Sequence, residues 1–222
     1  MTPLKVWDLP VRLTHWLLVL LVLGLYLSAE SEEDWMDWHR WMGYAVLTLV
    51  LFRLLWGLVG SHTARFSSFV RGPVGILRYL RGESPPGLPG HNPLGALSVL
   101  ALLAVLAFQA GTGLFASDDI LFEGPLYDLV DSDTAERLTG LHHFNFDLLL
   151  ILIGLHLVAI VFYLVFKRDN LVGPMLTGYK TLDADGLARA EDARVHELWL
   201  RALVCLALCA TVVGLVTQRV LF

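Results

Sequence analysis

The sequence is short of charge. Only 17% of its 222 residues are Asp, Glu, Lys or Arg, where a soluble domain carries about a quarter. It is also short of cysteine, with only Cys205 and Cys209, one helical turn apart. Neither belongs to a CxxCH motif, so covalent attachment of a c-type haem is excluded and the pair reads as packing. There is no glycine-rich nucleotide fingerprint, no Walker motif and no catalytic-triad pattern, and nothing points to a nucleic-acid partner. No internal repeat, low-complexity tract or separate second domain is visible either.

What the chain has is apolar residue, 56% of the total, gathered in blocks. Five blocks, 12–29, 40–59, 93–116, 144–166 and 198–217, approach the ~20 residues with which a helix spans a bilayer. They are too long and continuous for barrel strands, and a helix satisfies its own backbone in lipid. The expected fold is therefore all-α, a polytopic membrane helical bundle. Lys5 and Arg12 before the first block and Ser28-Ala29 after it outline a signal peptide. Such a peptide has no use for His15 and Trp16, so the block is read as a retained span.

Charge placement gives an orientation. The link "AESEEDWMDWHR" is acidic, as is the link before the fourth block, with Asp118, Asp119, Glu123, Asp128, Asp131, Asp133 and Glu136 against Arg137. The other links carry Arg65, Arg71, Arg78 and Arg81, then Lys167, Arg168 and Lys180. The positive-inside rule puts the N-terminus in the cytoplasm, the acidic links outside and, after five spans, the C-terminus outside. The turn "RGESPPGLPGHNP" opens the third span and "VGPMLTGY" breaks the chain after the fourth. "DADGLARAEDARVHELW" reads as a short surface helix. The expected division is a four-helix unit over 1–180, a cytoplasmic linker over 181–196 and an added span over 197–222. The acidic link 117–138 is long enough for a small outer cap.

Eight histidines stand in this apolar chain. His142 and His156 are fourteen residues apart, about 40° short of four full turns, so they share a helix face with a rise of about 21 Å between them. His143 points away from that face. His15, near the cytoplasmic start of span one, matches the depth of His156. His39, at the outer start of span two, matches His142. A lone histidine at a span end is an ordinary interfacial residue, but two pairs at matched depths suit bis-imidazole ligation of two b-type haems. Zinc would gather four ligands at one point rather than two pairs about 21 Å apart.

The segments "LTHWLLVLLVLGLYL", "HRWMGYAVLTLVLFRLLWGLVG" and "LHHFNFDLLLILIGLHLVAIVFYLVFKRDNLV" resemble the prokaryotic cytochrome b561 family and the related b-type cytochrome subunits of nickel-iron hydrogenases. The likeness covers roughly residues 5–180. It implies a four-helix core with two non-covalent haem b groups, ligated by His15, His39, His142 and His156, in a bacterial inner membrane. It also implies electron transfer between the quinone pool and a redox partner. The fifth span and the long acidic link depart from the pattern and leave that partner open.

Other residues carry paired readings. Arg53, fourteen residues after His39, either pairs with a haem propionate or snorkels to the interface; Arg12 is a second propionate candidate. His91 beside Asn92 could meet a quinone headgroup or a propionate, while Asn92 before Pro93 has the form of a helix cap. Gln109 is expected to hydrogen-bond a neighbouring helix. Gly24, Gly43, Gly113 and Gly154 leave room for a macrocycle or for close helix packing. Trp35, Trp38 and Trp41 suit the outer aromatic belt. The acidic outer face fits a basic c-type cytochrome as partner. Two alternatives stay open: superoxide oxidation coupled to quinone reduction, disfavoured by an acidic mouth, and a membrane-anchor subunit of a hydrogenase-like complex.

Overall fold

The computed structural model describes residues 2–29, 35–83, 90, 92–118, 122–182 and 198–218. Among these, five helices are long and apolar enough to cross a membrane: α1 (Leu9–Ala29), α2 (Met36–Val59), α5 (Pro93–Gly113), α6 (Ser132–Val165) and α8 (Trp199–Thr217). The chain is a multi-pass membrane protein. Short helices α3 (Phe66–Phe69) and α4 (Pro73–Leu80) follow α2, and α7 (Val172–Thr177) follows α6. Strands β1 (Thr2–Lys5) and β2 (Tyr179–Leu182) and two 3-10 turns, His62–Ala64 and Tyr127–Leu129, complete the order among the described residues. His91, His196, the acids at 30–34, Asp119 and residues 183–197 of the expected surface helix lie outside the described residues.

Four spans start and stop within a few residues of the apolar blocks. The fourth does not, because α6 begins at Ser132, twelve residues before its block. Its 34 residues make a rod of about 51 Å, well beyond the ~30 Å of hydrocarbon. Asp131 explains the early start. The Thr134 backbone N–H donates to Asp131 Oδ1 and the Thr134 hydroxyl to Oδ2, both at 2.9 Å. This is an N-cap, and the backbone bond from Thr134 holds the Asp131 carboxyl below the usual carboxylate range. Hydropathy marks only the part of a helix that lipid touches, so it misses these first polar turns. The expected outer cap accordingly ends at Asp131 and not at 138.

By its internal contacts the chain falls into two compact units. The first comprises 1–13, 54–101 and 152–202, and most of the lysines and arginines lie in it. β1 and β2 pair antiparallel there, Thr2 opposite Leu182 and Lys5 opposite Tyr179. Gly178 ends α7 at φ +90° and accepts the Val6 and Trp7 N–H groups on its carbonyl, at 2.8 and 3.2 Å. A side chain at 178 would meet both Arg12 and the Trp7 carbonyl, so glycine is required twice over. Asp8 starts α1: it accepts the Val11 N–H on Oδ1 at 2.8 Å and the Trp56 indole N–H on Oδ2 at 2.9 Å. Both residues are buried, Asp8 at 1% exposure and Trp56 at 0%.

The second unit comprises 14–53, 102–151 and 203–222. The link after α5 folds back on the end of that helix, with Gly124 N–H donating to Ala116 O at 2.7 Å and Leu126 N–H to Leu114 O at 2.8 Å. A cavity of about 260 Å³ lies among Leu126, Leu129, Leu215 and Val216, where this link approaches the far end of α8. Cys205, Cys209 and Val213 form the buried stripe of α8 in this unit, as the packing reading expected. Trp35, Trp38 and Trp41 stand 55%, 62% and 62% exposed, facing outward as an aromatic belt requires.

Candidate functional site

The second unit brings His39 of α2 and His142 of α6 together. Their rings lie 6.5 Å apart, centre to centre, at 67°. Each ring is held the same way. His39 Nδ1 faces the Leu25 carbonyl at 3.1 Å and the Ser28 hydroxyl oxygen at 3.1 Å. His142 Nδ1 faces the Gln109 carbonyl at 2.9 Å and the Thr112 hydroxyl oxygen at 3.2 Å. A carbonyl only accepts, so Nδ1 carries the proton in both rings and Nε2 keeps its lone pair. Both hydroxyls are oriented too: Ser28 donates to Leu25 O at 3.0 Å, and Thr112 to Phe108 O at 2.9 Å and Gln109 O at 3.0 Å.

This is the second shell expected of metal-ligating imidazoles, whose other ring nitrogen donates to a carbonyl and so fixes tautomer and orientation. Two neighbouring rings with free Nε2 lone pairs and committed Nδ1 protons are of the kind that would hold a metal between them. The donor set therefore fits a haem iron between His39 and His142. Among the described residues no group of three or more His, Cys, Asp or Glu side chains is placed to hold a metal ion.

Glycine sets the approach of His142. A Cβ on Gly113 would meet the His142 ring at 2.9 Å (Cε1) and 3.2 Å (Nδ1). Gly113→Ala should thus push the ring off its carbonyl, and Thr112→Val should remove one of its two contacts. Each substitution is expected to weaken haem retention about tenfold, as loss of a second-shell partner does, with helicity unchanged. Haem absorbance on dilution in detergent, beside circular dichroism, measures this; equal retention by both variants and parent would show that neither contact governs haem retention.

The other sequence candidates are placed as follows. His15 on α1 and His156 on α6 are half-buried, one belonging to each unit. His143 is exposed, in agreement with its helical phase. Arg53 is buried, 6% exposed, where an arginine reaching for the interface would be open. Arg12 is committed to backbone: Nη2 donates to Leu176 O, and Nε donates to Met175 O at 3.4 Å. It neutralises the carbonyl end of α7. His91 lies outside the described residues, but Asn92 caps α5 through Gly95 N–H at 2.7 Å. Its amide also donates to the Tyr163 hydroxyl at 2.7 Å.

Ser28, Thr112 and Asn145 escaped the sequence reading. Asn145, 4% exposed, donates to Val105 O at 3.1 Å and Gln109 Oε1 at 2.6 Å. It bolts α6 to α5 one turn from His142, and Gln109 makes the interhelical bond expected of it. A polar side chain inside an apolar run was the available signal for Asn145. For the two hydroxyls there was none, since serine and threonine occur freely in spans.

Comparison with known proteins bears on the same geometry. The chain is 24% identical to a probable Ni/Fe-hydrogenase B-type cytochrome subunit of Rhodobacter capsulatus, over 83% of this chain and 84% of that one. It is 27% identical to the protein so named in Azotobacter vinelandii, over 83% and 91%. The corresponding protein of Azotobacter chroococcum mcd 1 is 24% identical over the same shares. No solved structure matches the chain. The family model for prokaryotic cytochrome b561 matches residues 6–178, which takes in all of α1, α2, α5 and α6. The chain belongs to the prokaryotic cytochrome b561 family, membrane proteins that transfer electrons through b-type haem.

Proposed function

We propose that the chain carries electrons across a bacterial inner membrane through two b haems, between the quinone pool and a redox partner. The observation that carries this reading is the His39–His142 ring pair, 6.5 Å apart, with both Nδ1 protons committed to backbone carbonyls. His39 and His142 would hold one haem and His15 and His156 the other. Support for the second pair is the shared helical phase of His156 and His142. Held by these four histidines, the haems would supply one-electron redox chemistry. The protein's part is to fix the tautomers and hold the rings. Buried Arg53 would neutralise a propionate, and His91 would stand near a quinone headgroup. The four-helix haem domain spans 1–180, with the linker 181–196 and the added helix 197–222 outside it.

The names of the relatives favour a hydrogenase-like subunit as partner over a free c-type cytochrome. The N-terminus is taken as cytoplasmic and the C-terminus as periplasmic, on the charge of the links. Purified protein is expected to contain two haems per chain, extractable with acidified acetone, both reduced by a quinol analogue. One haem per chain, or a covalently attached one, would sink the paired-ligand reading. Failure of quinol to reduce either haem would leave the ligands in place and remove the quinone.

A further inference from the structure

Asp147 lies inside the apolar block 144–166, yet its side chain is exposed on α6 and faces outward, as does His143 one turn before it. Ionisable residues within spans almost always face a bundle interior or a polar partner. Among the described residues Asp147 has no ion-pair or hydrogen-bond partner. Its surroundings are as apolar as the block around it: Phe144 is 68% exposed, Ile151 60% and Leu155 60%. A face of this kind is incomplete in a single chain.

We propose that this face of α6 is covered by the α6 of a second copy, related by a two-fold axis along the membrane normal. The pattern of hydrogen-bonding groups selects that occupant. At about 100° per residue, His143 and Asp147 lie roughly 20° to either side of a line through Gly154. A two-fold axis on that line sets the Asp147 side of one helix against the His143 side of the other. The side chains are one turn apart in height, and helical side chains lean toward the N-terminus. The face thus carries an acid and a base that complement themselves under the symmetry, twice per dimer. Gly154 is exposed, with nothing within 4 Å of where a Cβ would stand. It lets the two backbones approach on the axis, as small residues do in membrane helix pairs.

The test is disulfide formation in native membranes, using the full chain with Cys205→Ala and Cys209→Ala. Gly154→Cys is expected to cross-link to a chain of twice the mass. Leu155→Cys, exposed but turned about 100° away, is expected not to. Adding Asp147→Leu removes both copies of the contact and should lower the cross-linked fraction roughly tenfold or more, from about three- to tenfold per interhelical polar contact. Haem content, read in every variant, separates misfolding from loss of the interface. A monomer with no Gly154→Cys product overturns the proposal, as does cross-linking to a different polypeptide, or equal dimer yields from positions 154 and 155. Because mass and cross-linking are read without reference to haem number, the result stands apart from the di-haem reading.

Discussion

His142→Ala is expected to leave the purified protein with half the haem of the parent. The remaining haem should still be reducible by a quinol analogue. His39→Ala should give the same product, because on the proposed ligand pairing the two imidazoles would share one iron and neither would hold it alone. The loss is near complete at that site, since the Ser28 and Thr112 hydroxyls and the facing carbonyls are already bonded to each other or to the partner ring and offer no replacement ligand. His143→Ala should keep the parent's haem content, because its ring is exposed on another face of α6. Pyridine haemochrome assay of the three variants decides the matter. A further arm distinguishes ligation from packing: His142→Gly supplied with free imidazole should regain haem, since the ligand then returns without its tether. Full haem in His142→Ala, or loss in His143→Ala, would overturn the assignment.

Asp8→Ala is expected to be the most destabilising single change outside the histidines. The carboxylate serves two buried donors at once. Loss of the cap costs about 0.5–2 kcal/mol, and an unsatisfied buried indole N–H costs about 1–3 kcal/mol more. Asp8→Asn should cost less, because its one carbonyl oxygen can still serve one of the two donors while its amide nitrogen can serve neither. The discriminating measurement is a double-mutant cycle with Trp56→Phe, scored by the midpoint of thermal haem loss. In the Trp56→Phe background no indole N–H is stranded, so Asp8→Ala should cost only the cap. Equal penalties in both backgrounds would mean that the indole bond carries no stability.

Some of this was legible from the chain alone, for a physical reason. In lipid the apolar requirement is local, so hydropathy over a window locates a span without knowledge of its neighbours. Helix phase is equally local, which is why His142, His143 and His156 could be sorted onto faces from numbering alone. The membrane class, the five spans and the candidate ligands His15, His39, His142 and His156 all follow from these two rules. The structure agrees on the spans and brings His39 to His142.

What only the tertiary structure decided depends on residues far apart in sequence. Asp8 was one more polar residue until Trp56 reached it across 48 positions. Nothing near Arg12 in the sequence names the carbonyls of Met175 and Leu176 to which it donates. Thr112 and Ser28 look like any span hydroxyls until a ring nitrogen 30 or 11 residues away turns toward them. β1 pairs with β2 across most of the chain's length. A hydrogen-bonding group in an apolar chain must find a partner, but nothing in its local sequence says which one. The choice is made when the helices pack, because only then is it fixed which donors and acceptors lie within reach.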